Sequence, residues 1–189
     1  MEDVSRIDQP AVMEAVILGK AAPMGSATAS LSDISTDDDD FVSSSTPGRG
    51  DAGMVARFLS LVEADEVGPA GKLLHKLLRM LRTCKYAEDD IVSVLAVAVA
   101  HHSLFRASNQ AGATPTERAF ILLTQIYIAH CVVLDEYCCI SNWHRYLFAS
   151  YCDLRSLNSA VARILRRMDW RLHSVTDDEI SRLVHFIKH

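Results

Sequence analysis

No stretch of this 189-residue sequence stays apolar long enough to cross a bilayer. The longest largely apolar run, residues 119–134, is interrupted by Thr124, Gln125 and His130 and is shorter than the roughly 20 residues a spanning helix needs. A basic start followed by an apolar core is also missing, so no secretory leader is expected and the chain is read as soluble and intracellular, in cytoplasm or nucleus. Cysteine is sparse: Cys84, Cys131, Cys138, Cys139 and Cys152 make an odd set with one adjacent pair and no C-x-x-C spacing. Without a secretory context they are read as reduced thiols, and that spacing, with half of the cluster in apolar helices, argues against a zinc site built from His130, His144 and the thiols. Glycine-rich phosphate loops and dinucleotide fingerprints do not occur, and nothing places a base beside a thiol. No catalytic residue, metal, cofactor or small-molecule substrate is therefore assigned, and the chain is not expected to be an enzyme.

The formal charge of -5 is unevenly distributed. Residues 1–50 hold nine acidic and three basic side chains, a balance of -6, whereas residues 51–189 hold fifteen and sixteen, a balance of +1. A nearly neutral domain has little general attraction for phosphate backbones or anionic membranes, so neither is expected as a partner. Ser, Thr, Asp and Gly dominate residues 25–50 and leave few large apolar groups to offset the entropy of ordering. Residues 1–50 are thus read as an acidic tail, disordered from about residue 22, with one or two helical turns over residues 12–18. The four consecutive aspartates at 37–40 form a solvated spacer, because adjacent carboxylates without a chain reversal do not converge on one ion. Thr46-Pro47-Gly48-Arg49 has the form that proline-directed kinases prefer, which makes Thr46 a candidate phosphorylation site; the plain alternative is a chance Thr-Pro pair.

Residues 51–189 are read as one all-helical domain. Val55, Phe58, Leu59 and Val62 recur at helical spacing, and Gly68-Pro69 is expected to break that helix. A second helix over residues 70–86 puts Leu73, Leu74, Leu77, Leu81 and Cys84 on one side and Lys72, Lys76, Arg79 and Arg82 on the other. Residues 87–108 are rich in valine, but their length without Gly or Pro favours a buried helix over a strand. His101 and His102 are expected where that helix emerges into solvent. Thr114-Pro115-Thr116-Glu117 is a capping box with proline at the first helical position, Thr176 to Glu179 repeats its logic, and Ser141 and Asp153 are expected caps of two further helices.

Two helices carry the functional argument. The one over residues 115–134 is apolar nearly all round, with Glu117, Arg118 and Gln125 on a narrow polar strip, as expected for a helix enclosed by others. Beside Gln125 lie Ile121, Ile128 and Val132, which are either an exposed apolar ridge or simply core. The helix over residues 154–170 gathers Leu154, Leu157, Val161, Ile164, Leu165 and Met168 in one arc, expected to pack on the enclosed helix. Arg155, Arg163, Arg166 and Arg167 fall opposite, as a solvated face or as a patch for an acidic partner surface.

Arg82-Thr83-Cys84-Lys85-Tyr86, Thr124 with Ala129, Asp135 with Tyr137, and Leu157-Asn158 running on to Leu172 occur in the order of the helix motifs of a cyclin box. The chain resembles the short single-box cyclins of the phosphate-signalling (P/U) type over about residues 70–175. The resemblance implies a single cyclin-box domain with a central buried helix, and a non-enzymatic regulatory subunit that binds a cyclin-dependent protein kinase. In such proteins the central and fifth box helices press on a kinase helix, and the kinase supplies all of the chemistry. Ile121, Gln125, Ile128, Cys131, Val132 and Val161 are the implied kinase-binding residues. Family members carry a clamping lysine and glutamate where this chain has Cys131 and Val161, and their Tyr-Ile-Asp-Arg run is replaced by residues 100–103, Ala-His-His-Ser. The alternative reading is a cyclin-fold scaffold or transcription-associated interaction protein that activates no kinase.

Overall fold

A computed structural model describes residues 49–106, 113–134 and 139–189. The acidic segment with its expected disorder, helical turns and aspartates, Thr46, and the motif residues Asp135 and Tyr137 lie outside the described residues. Among the described residues seven α-helices follow one another: α1 (Arg49–Leu61), α2 (Pro69–Thr83), α3 (Glu88–Arg106), α4 (Pro115–Val133), α5 (Ile140–Trp143), α6 (Leu154–Arg167) and α7 (Asp177–Lys188). A π-helical turn, His144–Phe148, extends α5. No strand occurs among the described residues, so the fold is all-α, and the valine-rich segment is a helix.

Local chemistry explains most of the helix ends. The Thr114 hydroxyl accepts from Glu117 N at 3.3 Å while the Glu117 carboxylate accepts from Thr114 N at 2.7 Å, a complete capping box. Asp153 accepts from Ser156 N at 2.6 Å at the start of α6, and Thr176 from Glu179 N at 3.3 Å at the start of α7. Ser141 is not a cap. It lies inside α5, whose N-cap is Cys139, and its hydroxyl sits 2.8 Å from the Cys139 thiol.

Gly68-Pro69 does not end α1. The chain already reverses at Glu63, whose φ of 53° is left-handed, with Ala64 N donating to Leu59 O at 3.0 Å; Gly68 caps α2 instead and Pro69 occupies its first turn. Reversals of the same kind end α2 at Lys85 (φ 64°) and α6 at Asp169 (φ 54°), so three helices stop without the glycine that usually takes this position. The reversal at Lys85 leaves Cys84 exposed rather than on the apolar side of α2. It also turns Tyr86 back onto the core, where its ring meets His130 edge-on at 5.1 Å.

The core has two parts. The larger joins the inner faces of α1, α2, α3 and α4 with Trp143, Leu147, Phe148, Leu157 and Ile187. The smaller places Phe105 of α3 and Ile121 and Ile128 of α4 against Ile164 and Met168 of α6. Helix α4 packs against α3, α2 and α6, while α7 packs against α3 and α1. Polar contacts hold α7 in place: Arg57 of α1 donates to the carbonyls of Ile187 and Lys188 at 2.9 and 3.0 Å, and Lys188 pairs with Asp89 of α3 at 2.5 Å.

Two substitutions test this account of the helix ends. In α2, a Cβ on Gly71 would collide with the Glu66 carbonyl, so Gly71→Ala is expected to lower stability by about 1–3 kcal/mol. Lys85 is exposed and its backbone is left-handed, so Lys85→Gly is expected to raise stability by about 1 kcal/mol. Urea denaturation followed by circular dichroism reads both, and a loss of stability in Lys85→Gly would refute the assigned reversal.

Candidate protein interface

The physical problem at the centre of the molecule is to enclose a helix with polar side chains on it. Of the strip foreseen along α4, Glu117 and Arg118 lie at the solvent edge, but Gln125 is completely buried. The reason lies on α3. His102 Nδ1 donates to Gln125 Oε1 at 2.9 Å, so polar groups on facing helices meet inside the fold, while Gln125 Nε2 has no partner. Its neighbour His101 is also fully buried, and its Nε2 donates to the Leu172 carbonyl at 3.2 Å. The pair therefore does not mark where α3 emerges into solvent: α4 covers one ring and the segment following α6 covers the other.

That segment is brought back by backbone strain. Asp169 and Trp170 are both left-handed, at φ 54° and 57°, and hydrogen bonds from Asp169 N to Arg166 O and from Trp170 N to Leu165 O, at 3.0 and 2.9 Å, hold the reversal. The turn aims the Leu172 carbonyl at His101 and leaves the Trp170 ring 61% exposed beside the end of α6.

Ile121 and Ile128 belong to the core and form no ridge; they are 7% and 4% exposed and pack against Ile164 and Met168. Val132 and Val161 are half-buried, and Cys131 is exposed. Of the six residues named for kinase binding, only these three reach the surface; Ile121, Gln125 and Ile128 lie beneath it. The cleft between α4 and α6, lined by Phe120, Thr124, Tyr151 and Ala160, encloses only about 10 Å³, room for a single water. That cleft between α4 and α6 is too small for a metabolite.

The opposite side of α6 carries the arginines. Arg155 and Arg166 are exposed and Arg163 is half-buried, but Arg167 turns inward and stacks its guanidinium 4.9 Å above the Phe105 ring. The sequence pattern alone placed all four on one outward side, as a solvated face or as a patch for an acidic partner. Arg167 departs from it because the smaller core leaves an aromatic ring within reach.

Other groups singled out in the sequence do not assemble into chemistry. Among the described residues no three His, Cys, Asp or Glu side chains gather around one point. His144 Nε2 donates to the Cys152 carbonyl at 2.7 Å and so is committed to backbone, while His130 lies between the Tyr86 and Trp143 rings. The Ser141 hydroxyl holds the Cys139 thiol below the usual thiol range, and burial pushes Cys152 up. The described cysteines form no disulfide with one another, and among the described residues no helix is long and apolar enough to cross a membrane.

Burial places Ile128→Glu and Val132→Glu in different classes. The first puts a carboxylate among Phe105, Ile164 and Met168 and is expected to cost more than about 3 kcal/mol, enough to threaten the fold. The second is expected to cost under about 1 kcal/mol, because Val132 can turn the new carboxylate to water. Equal thermal stability of the two variants would contradict this assignment.

The buried His101 and the half-buried His102 also predict a pH dependence. Desolvation holds both His101 and His102 below the ordinary imidazole value of 6.5, with the bonds to Leu172 O and Gln125 opposing it. The unfolded chain binds protons first, so the stabilisation is complete above about pH 6.5 and is lost as pH falls from there through the depressed folded values. Glu63 and Asp153 are lowered from carboxylate values, by Arg106 and by the bonds to Ser156 respectively, so their losses lie in a separate window at lower pH. Stability is expected to fall between about pH 7 and 5, and His102→Gln is expected to flatten the decline; thermal unfolding across that range measures it.

No family model, curated protein or solved structure matches this chain.

Proposed function

We propose that the chain is a cyclin-like regulatory subunit that binds a cyclin-dependent protein kinase and does no chemistry of its own. The observation that carries the reading is the enclosure of α4: a nearly all-apolar helix packs against α2, α3 and α6, as expected of the central helix in the cyclin box that the motifs resemble. In this reading α2, α3, α4, α5 with its π turn, and α6 are the five box helices, and α1 and α7 flank them. The kinase helix docks across the end of α4 and the middle of α6, on Cys131, Val132 and Val161. Ile121, Gln125 and Ile128 act from below by fixing the positions of those contact residues.

Two positions bear on whether binding also activates. Cys131 and Val161 stand where the clamping lysine and glutamate of such cyclins stand, and neither supplies their charge-assisted hydrogen bonds. They favour, as the second reading, a cyclin-fold scaffold that binds a partner without activating a kinase. Interface energy is concentrated in a few anchors, so apolar contact at Val132 and Val161 suffices for binding in either case.

Purification of the tagged protein from its native cells, with partners identified by mass spectrometry, is expected to recover one cyclin-dependent kinase. Val132→Glu is expected to reduce that recovery at least tenfold with thermal stability preserved, and Cys131→Lys combined with Val161→Glu to raise the activity of the recovered kinase. Absence of any kinase from the wild-type preparation would overturn the kinase reading. Recovery of a kinase that stays inactive with both forms would favour the scaffold.

A further inference from the structure

The last turn of α7 is held more firmly than the end of a helix usually is. Ile187 is fully buried, Arg57 of α1 donates to the carbonyls of Ile187 and Lys188 at 2.9 and 3.0 Å, and Lys188 pairs with Asp89 of α3 at 2.5 Å. The helical hydrogen bond from His189 N to the His185 carbonyl, at 3.1 Å, closes the turn. His185 and His189 therefore stand four residues apart on one face of an ordered turn, a spacing that makes their side chains neighbours. Both are exposed. Their rings lie 4.8 Å apart, centroid to centroid, and are tilted by 51°.

That separation is the one a shared metal ion requires. With metal–nitrogen bonds of about 2.0–2.1 Å in line with each ring, two imidazoles on one ion have centroids about 4.5 Å apart at a right angle and about 5.2 Å apart at the tetrahedral angle. The observed value falls between the two. The rings are also uncommitted. His101, His102 and His144 each spend a ring nitrogen on Leu172 O, Gln125 Oε1 and Cys152 O respectively, and His130 lies between two aromatic rings. Among the described residues no hydrogen bond or ion pair engages the ring of His185 or of His189, whose one contact is with each other. Exposed side chains turn freely about their χ angles, so a nitrogen of each ring can be brought to one point. The cations nearby in the chain are engaged: Arg182 donates to the Asp178 carbonyl at 3.3 Å, and Lys188 is paired with Asp89.

We propose that His185 and His189 chelate one divalent transition-metal ion of the class that imidazole prefers, zinc, copper or nickel, with water completing its coordination. Two protein ligands are fewer than the four of a structural zinc site, so the ion exchanges with solution rather than being built into the fold. Because Arg57, Ile187 and Lys188 already fix the turn, little ordering remains to oppose binding. The inference does not rest on the kinase reading, since it uses neither α4 nor α6.

The test titrates the untagged 189-residue protein with zinc alone, in a buffer that does not bind metals, and follows the imidazole C–H resonances by NMR and the heat by calorimetry. Expected are one ion per chain at this site, joint movement of the His185 and His189 signals while those of His101 and His102 stay, and slower exchange of the His189 amide, whose bond to the His185 carbonyl the chelate protects. Affinity is expected to fall at least about tenfold in His185→Ala and in His189→Ala, both at exposed positions where circular dichroism should show an unchanged fold. His189→Cys, which exchanges one zinc ligand for another, is expected to restore most of it. Histidine signals that do not move with zinc would overturn the proposal. So would an affinity unchanged in either alanine variant, which places the zinc on other groups such as the thiols, or half an ion per chain with formation of dimers, which places it between two copies.

Discussion

Helices α3 and α4 have no polar side wide enough to face water, and the arrangement of the other helices follows from the need to cover them. From Ile91 to His101 nearly every residue of α3 is buried, and the same is true from Ala119 to His130 of α4. Each large apolar side chain removed from water contributes about 1.5–3 kcal/mol, so these two helices supply much of the driving force and cannot sit at the surface. Four amphipathic helices surround them. Helices α1, α2 and α7 cover the larger core, and α6 covers the smaller one through Ile164 and Met168.

Enclosure this complete leaves little tolerance for polar groups, and the structure meets some of them in pairs that bridge elements, while His101 Nδ1 and Gln125 Nε2 stay without a partner. Gln125 is matched by His102, and His101 by the carbonyl of Leu172. The second bond is reached only because Asp169 and Trp170 adopt left-handed backbone. Strain at the end of α6, a buried imidazole and the path of the chain into α7 are thus parts of one arrangement. The same reversal presents Trp170 beside the arginines, so the packing of α3 shapes a surface on the far side of α6.

The functional reading inherits this geometry. An apolar helix held on several sides is positioned more rigidly than one lying on a surface, and contact residues at its end have fixed positions. In the proposed reading, Cys131 and Val132 at the end of α4 and Val161 on α6 would meet a partner from fixed rather than adaptable positions. The outer side of α6, where Arg155 and Arg166 are exposed, lies away from the apolar side that packs through Ile164 on the smaller core.

Periodicity and capping chemistry in the sequence determined the helices and many of their starts, because a helix needs local signals: the Thr114–Glu117 box, Asp153, Thr176, and apolar residues three and four apart. An all-round apolar pattern was likewise enough to mark α4 as enclosed. Only the tertiary structure decided which side of an enclosed helix still reaches solvent. A helical wheel places Ile121, Gln125, Ile128 and Val132 together, yet three are buried and one is not, because α3 and α6 cover most of α4 and leave its end open. His101 and His102 were misread for the same reason, since their partners lie 71 and 23 residues away in the chain. The reversals at Glu63, Lys85, Asp169 and Trp170 carry no glycine and so gave no local signal; contacts made after the turn hold them. Local hydrogen bonding is written in neighbouring residues, whereas burial is a property of what the rest of the chain brings alongside.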